Sequence, residues 1–152
     1  MIIDILTNKI LIIPISAWAL AQILKTIIAL FQSKGLDFRY LFSSGGMPSS
    51  HSVIVTALAT TAGMVEGFDS AAFGIATILA SIVLYDAAGV RQAVSQQAIV
   101  LNRIVHEIRI REPLTKIEAD LRELIGHTPF QVIVGAALGI VFAWLWLTIE
   151  AM

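Results

Sequence analysis

Long apolar runs alternate with polar segments along the chain, and they predict about four membrane-spanning helices. The runs cover residues 10–31, 49–66, 71–90 and 129–148. The last run has roughly 20 residues, enough to cross the hydrocarbon of a bilayer. The second is short and rich in alanine, threonine and valine, so neighbouring helices can approach it closely. The pattern predicts an all-α integral membrane bundle that forms a single domain over the whole chain.

A polar segment, residues 92–126, separates the third and fourth runs. Apolar residues recur in it at helical spacing, with a break near Glu112 and Pro113. The spacing predicts two amphipathic helices that lie on the membrane face or pack against the bundle. The charged side chains and His106 form their solvated face, and we assign no function to His106.

Composition agrees with a membrane protein and excludes several kinds of site. With 57% hydrophobic and 14% charged residues, and a mean hydropathy of +0.85, the chain is far more apolar than a soluble domain. It has no cysteine, which excludes disulfides and thiolate chemistry. Its three histidines do not cluster, so we expect neither a metal site nor another cofactor. No basic patch stands out, which argues against nucleic acid as a partner.

The distribution of charge predicts the orientation in the membrane. Four spans put the two large loops, residues 32–48 and 92–126, on the same side. Nine of the ten lysines and arginines lie in these loops or at the adjoining helix ends, and Lys9 is the exception. The positive-inside rule then places both loops in the cytoplasm and both termini outside. This orientation gathers six polar residues at one membrane face: Lys25, Arg39, His51, Asp86, Arg91 and His127.

Three residues in the predicted spans, away from the first and last positions, are unusual there: Lys25, Asp86 and Pro14. Lys25 lies toward the end of the first span and either snorkels to the headgroups, the simpler interpretation, or pairs inside the bundle. Asp86 lies near the end of the third span, where a carboxylate is expensive unless it is paired. Pro14 either kinks the first span or marks its start.

Residues 43–52 read SSGGMPSSHS and lead directly into the second run. Glycines such as Gly46 allow unusual backbone shapes, and Pro48 suits the first turn of a helix. Free N–H groups and the dipole at a helix start favour an anion. Two hydroxyls and a group that titrates near neutral pH follow: Ser49, Ser50 and His51. The stretch predicts either a phosphate-binding site with a proton donor beside it, or an ordinary helix cap at one of the two serines.

Five short motifs follow one another along nearly the whole chain. They read AQILK at 21–25, GMPSSH at 46–51, YDAAGVR at 85–91, VLN at 100–102 and LRELIGHTP at 121–129. This series resembles a divergent membrane family related to the type-2 phosphatidic acid phosphatases. The parent enzymes share their site with vanadium haloperoxidases and bacterial acid phosphatases.

The resemblance implies a role for several of these residues. In the parent enzymes a lysine and two arginines hold phosphate, one histidine attacks phosphorus, and a second histidine protonates the leaving oxygen. Carried over, Lys25 binds phosphate, His51 is the general acid and His127 is the nucleophile. The phosphate cradle is completed by Ser49, Ser50 and the backbone amides after Gly46.

The chain departs from the parent pattern at both arginines. The arginine expected seven residues after the lysine is replaced by Gln32, and the nearest arginine downstream is Arg39. The second arginine is replaced by Leu121. Arg122 lies one place away, and Arg91 is the preferred substitute as a phosphate-binding residue.

Two further departures affect the histidines. The glycine before the acid histidine is Ser50, and the aspartate four residues after the nucleophile is Gln131. Glutamine can hydrogen-bond an imidazole but cannot stabilise imidazolium as a charge would. Asp86 is the candidate to supply that charge from another helix.

These residues support one leading hypothesis and two alternatives. The leading one is a cytoplasm-facing phosphohydrolase of a lipid phosphate or pyrophosphate, with a phosphohistidine intermediate. Its partners are the bilayer and the phosphorylated lipid, and a homo-oligomer stays open. The second is a non-catalytic membrane protein that keeps a pocket for an anion or a lipid headgroup. A third, a transporter component, lacks support from inverted repeats or paired broken helices.

Overall fold

The computed structural model describes residues 2–32, 46–90, 97–101 and 128–152, and all regular structure in these ranges is helical. The helices are α1 (Ile2–Leu6), α2 (Lys9–Gln32), α3 (Ser50–Glu66), α4 (Ala71–Tyr85) and α5 (Pro129–Glu150), and α4 continues into a π-helical turn, Asp86–Val90. The predicted all-α bundle is confirmed. The two predicted amphipathic helices lie outside the described residues, apart from a helical segment at 97–101.

Within the described residues, three segments are long and apolar enough to cross a membrane: Lys9–Ile28, Ala71–Gly89 and Pro129–Glu150. Helix α3 has 17 residues, a rise of about 25 Å, which falls short of a hydrocarbon core of roughly 30 Å. Its bounds match the short second run of the sequence within one residue. The structure therefore supports three spans by length and composition, where the sequence predicted about four.

Helix α3 is the centre of the bundle, because α2, α4 and α5 each pack against it. Its Val53 and Ala57 meet Ala17 and Ala21 of α2 and Ala143 of α5 in the buried core. Nearly all of these side chains are small, so the helices can approach closely without leaving voids.

Large apolar side chains cover the outside of the bundle. Ile75, Ile78 and Ile82 on α4 and Ile133 and Ile149 on α5 are all exposed. An apolar surface of this extent is unfavourable in water, whereas in a bilayer it contacts lipid chains. The surface agrees with a protein that lies in the bilayer.

Helices α3 and α5 run parallel, and the cap of α3 lies beside the first two turns of α5. The Ser49 N–H donates to the Gln131 carbonyl oxygen at 3.2 Å, and deeper in the bundle the Thr56 hydroxyl donates to the Ala136 carbonyl oxygen at 3.1 Å. Helix α4 returns antiparallel to α3 after the turn at residues 67–70, and its π-helical end contacts α5. The starts of α3 and α5 thus share one end of the bundle, the site face, with the ends of α2 and α4.

The opposite end of the bundle is closed by an ion pair between the start of α2 and the end of α5. The Lys9 ammonium lies 2.9 Å from a Glu150 carboxylate oxygen, and both side chains are about half exposed. Helix α2 begins here, where the Asn8 side chain accepts the Ile10 N–H at 2.9 Å. Pro14 therefore lies inside α2, and the prediction that it could mark the start of the span is wrong.

Candidate anion site

Lys25 is buried at the site face. Ala17, Ala21 and Lys25 are buried at intervals of four residues, so they share the face of α2 that packs on α3. Only 2% of Lys25 is exposed, and its ammonium lies 3.5 Å from the Ser50 hydroxyl. The simpler interpretation, that Lys25 snorkels to the headgroups, is wrong. An ammonium kept inside a membrane bundle is expensive, which is typical of functional residues.

Gly46 lies directly against the stem of Lys25. A Cβ at Gly46 would sit 3.4 Å from the Lys25 Cγ and 3.6 Å from its Cδ. The Gly46 φ of 93° is in the left-handed region, which other residues rarely adopt. The backbone angle therefore favours glycine at this position, and the Gly46 backbone lies over the stem of Lys25.

Ser49 caps the start of α3. It is fully buried, and its hydroxyl accepts the Ser52 N–H at 3.4 Å and the Ser52 hydroxyl at 2.9 Å. Pro48 directly precedes this cap and lies outside α3, so the prediction that it lies in the first helical turn is wrong. Because Ser49 serves as the cap, the Ser50 hydroxyl is left to face Lys25.

His51 follows Ser50 in the first turn of α3 and is exposed, whereas Ser50 is buried. Successive residues on a helix point about 100° apart, since one turn takes 3.6 residues. The chain therefore presents a buried hydroxyl and an exposed imidazole side by side at the site face.

Thr128 and Gln131 form a capping box at the start of α5. The Thr128 hydroxyl accepts the Gln131 N–H at 3.4 Å, and the Gln131 side-chain oxygen accepts the Thr128 N–H at 3.1 Å. The Thr-x-x-Gln spacing in the sequence is a signal for this motif. The resemblance gave Gln131 only the position that orients the nucleophile, so its structural role as half of a capping box was missed.

Asp86 begins the π-helical turn at the end of α4 and is partly exposed. The contact between this turn and α5 brings the end of α4 to the site face. Single π-helical turns are frequent at functional sites, because the extra residue changes the direction of the side chains that follow.

The remaining predicted site residues lie outside the described residues: Arg39, Arg91, Arg122 and His127. His127 directly precedes Thr128, the cap of α5, in the chain. The described part of the site therefore consists of one buried cation, two capped helix starts and the end of α4.

These features define a class of protein: a helical membrane bundle with a buried lysine beside a serine-rich helix start. The chain matches the model of the Divergent PAP2 family over residues 6–142, and it belongs to this family. It is 38% identical over 146 residues to the uncharacterized membrane protein YuiD of Bacillus subtilis (strain 168). The match covers 90% of this chain and 92% of that protein. No solved structure matches the chain. The family resemblance in the five motifs is confirmed.

Proposed function

We propose that this protein is a membrane phosphohydrolase that removes phosphate from a lipid phosphate or pyrophosphate at the cytoplasmic face. The observation that carries the proposal is the buried Lys25 ammonium, 3.5 Å from the Ser50 hydroxyl at the start of α3. Membership of a family related to phosphatidic acid phosphatases supports chemistry on phosphorus.

The electrostatics of the site face favour a phosphate group. Helices α3 and α5 begin side by side, and each helix start carries a partial positive charge and outward N–H groups. Lys25 adds a full charge in surroundings where water screens it little. Phosphoryl transfer depends on such fixed positive groups, because the transition state spreads negative charge over three oxygens. Arg39 and Arg91 are proposed to complete this set.

The proposed reaction has two steps. In the first, a neutral His127 nitrogen attacks phosphorus while the bond to the lipid oxygen breaks, and protonated His51 gives its proton to that oxygen. In the second, water attacks the phosphohistidine, His51 takes a proton from this water, and phosphate leaves. His51 ends protonated and His127 neutral, so the cycle closes. Asp86 is proposed to stabilise the positive charge on the phosphorylated imidazole.

The place of the site in the bundle supports a lipid substrate. Lys25 lies near the end of an apolar span, and the outside of the neighbouring helices is apolar. A phosphate headgroup bound here could keep its acyl chains in the bilayer, so the lipid need not leave the membrane. The excess of basic residues in the two large loops supports a cytoplasmic site.

The capping box at α5 favours a second candidate, a non-catalytic pocket for an anion or a lipid headgroup. The Gln131 side-chain oxygen already accepts the Thr128 N–H. A neutral amide that caps its own helix is a weak substitute for the aspartate that orients the nucleophile in the parent enzymes. Under this candidate, Lys25 and Ser50 bind the anion without turnover.

Phosphate release by the purified protein in detergent separates the two candidates. The substrates would be a lipid phosphate monoester, a lipid pyrophosphate and glycerol phosphate, which has the same headgroup without acyl chains. The proposal predicts release from a lipid substrate and little from glycerol phosphate. Equal rates on glycerol phosphate would contradict a lipid substrate. If no substrate is hydrolysed but vanadate binds, the non-catalytic pocket is correct. If vanadate does not bind either, both candidates are wrong.

A further inference from the structure

Helices α3 and α5 touch backbone to backbone at the site face. A Cβ at Gly135 would sit 2.6 Å from the Ser49 carbonyl oxygen, 3.2 Å from the Ser49 nitrogen and 3.0 Å from the Ser52 Cβ. The Ser49 N–H donates to the Gln131 carbonyl oxygen, the same carbonyl that the α-helical pattern pairs with the Gly135 N–H. The peptide of Ser49 therefore lies directly on the first two turns of α5.

Gly139, one turn further along α5, makes an equally close contact with a different part of α3. A Cβ at Gly139 would clash with the Thr56 hydroxyl and the Val53 carbonyl oxygen, and would lie 3.1 Å from the Ala57 nitrogen. These atoms lie deeper in the bundle than the cap of α3. The two glycines, which have a G-x-x-x-G spacing, thus contact α3 at two depths.

We propose that Gly135 is a positioning residue for the anion site, acting through Ser49, and this inference rests on the proposed function. Any larger residue at position 135 must increase the distance between the two helix starts. The gap to the Ser49 carbonyl would have to grow from 2.6 Å to at least the 3.4 Å of an ordinary contact. Gly139 supports the packing of the same helices but does not contact the cap.

The site is sensitive to such a shift because the Lys25 ammonium and the Ser50 hydroxyl cannot move further apart and stay hydrogen-bonded. Ser50 follows the cap directly, so a displaced Ser49 carries Ser50 with it. At 3.5 Å, the distance between the Lys25 ammonium and the Ser50 hydroxyl is already at the outer limit of a hydrogen bond. Misplacement by about 1 Å can reduce the rate of a catalysed reaction about 100-fold.

Vanadate affinity and thermal stability of two glycine variants test the inference. G135A should bind vanadate about 10- to 100-fold more weakly than wild type. G139A, the matched control, should lose at least as much thermal stability as G135A. Its vanadate affinity should stay within about threefold of wild type, because the geometry of the site is unchanged and threefold corresponds to less than about 1 kcal/mol. G74A should bind vanadate like wild type and be at least as stable, because a Cβ at Gly74 meets nothing within 4 Å and alanine favours a helix over glycine.

A second variant covers the case in which G135A does not fold. The double variant G135A/S52G removes the contact with the Ser52 Cβ but keeps the clash with Ser49, so compared with S52G alone it should show the same loss of vanadate binding. Failure of both variants to fold would assign Gly135 to packing alone and overturn the inference.

The outcomes distinguish this inference from the proposed function. If wild type binds vanadate and releases phosphate but G135A binds as tightly as wild type, or G139A binds as weakly as G135A, the inference alone is wrong. If wild type neither binds vanadate nor releases phosphate, the proposed function is wrong and the inference falls with it.

Discussion

Lys25 is the residue on which the proposed site depends most, because its amine is buried inside the bundle, where a charge is costly. Its stem continues the small-residue face of α2, and Gly46 covers that stem. Replacing a buried charge with an apolar side chain of similar volume is often neutral or stabilising. A lysine kept at such a position is better explained by binding than by stability.

Replacing Lys25 should therefore weaken vanadate binding without lowering the thermal stability of the protein. K25M should weaken vanadate binding about 10- to 100-fold, because a hydrogen bond to a charged group contributes about 1.5–3 kcal/mol, while its thermal stability should equal or exceed that of wild type. K9M is the matched control: the same substitution at the other end of α2 breaks only the exposed pair with Glu150. It should cost at most about 1 kcal/mol of stability and leave vanadate binding unchanged. Wild-type affinity in K25M would contradict the role of Lys25.

At the scale of elements, the two capped helix starts organise the site face. Ser49 caps α3, and the capping box of Thr128 and Gln131 fixes the start of α5. Each cap satisfies backbone N–H groups that would otherwise be unpaired. The cap of α3 also determines where Ser50 stands, because Ser50 directly follows Ser49.

Removing the threonine cap of α5 should destabilise the protein measurably. T128A should lower the free energy of unfolding by about 1 kcal/mol, because it leaves the Gln131 N–H without its acceptor. T148A is the matched control at the other end of α5, where the hydroxyl only donates to the Trp144 carbonyl. It should change stability by less than about 0.5 kcal/mol. Denaturation of both variants in detergent tests this, and equal losses would show that the capping box adds nothing specific.

At the scale of the whole molecule, the apolar pattern was sufficient to predict the helices but not their packing. The bounds of α2 through α5 agree with the apolar runs within about two residues when the π-helical turn is counted with α4, since length and hydropathy determine them. The central position of α3 and the burial of Lys25 were not predictable, because both depend on which helices meet. The stretch at residues 43–52 indicated a helix cap and an anion-binding site as alternatives. The structure assigns the cap to Ser49, and Ser50 contacts Lys25 in the proposed site.

The proposed orientation predicts which positions an impermeant reagent can reach in intact cells. The chain has no cysteine, so single cysteines can be introduced without background labelling. Cysteines at Lys34 and Lys116, in the two large loops, should resist a membrane-impermeant thiol reagent. A cysteine at Ala151, beside the Lys9–Glu150 pair, should be labelled. The reverse pattern would contradict the cytoplasmic site, and labelling of only one loop would contradict the placement of both loops on one side.

Trapping of the phosphorylated enzyme tests the proposed function most directly. Purified wild type would be mixed with a lipid phosphate labelled at phosphorus, quenched at alkaline pH and analysed by mass spectrometry. We expect the phosphoryl group on His127 in wild type and no phosphoenzyme in H127A. In H51A the phosphoenzyme should form about 10²- to 10⁴-fold more slowly, as expected for loss of a general acid. H106A should behave like wild type. Phosphate release without phosphorylation of His127 would contradict the mechanism. The absence of both release and phosphohistidine, with vanadate still bound, would establish the non-catalytic pocket instead.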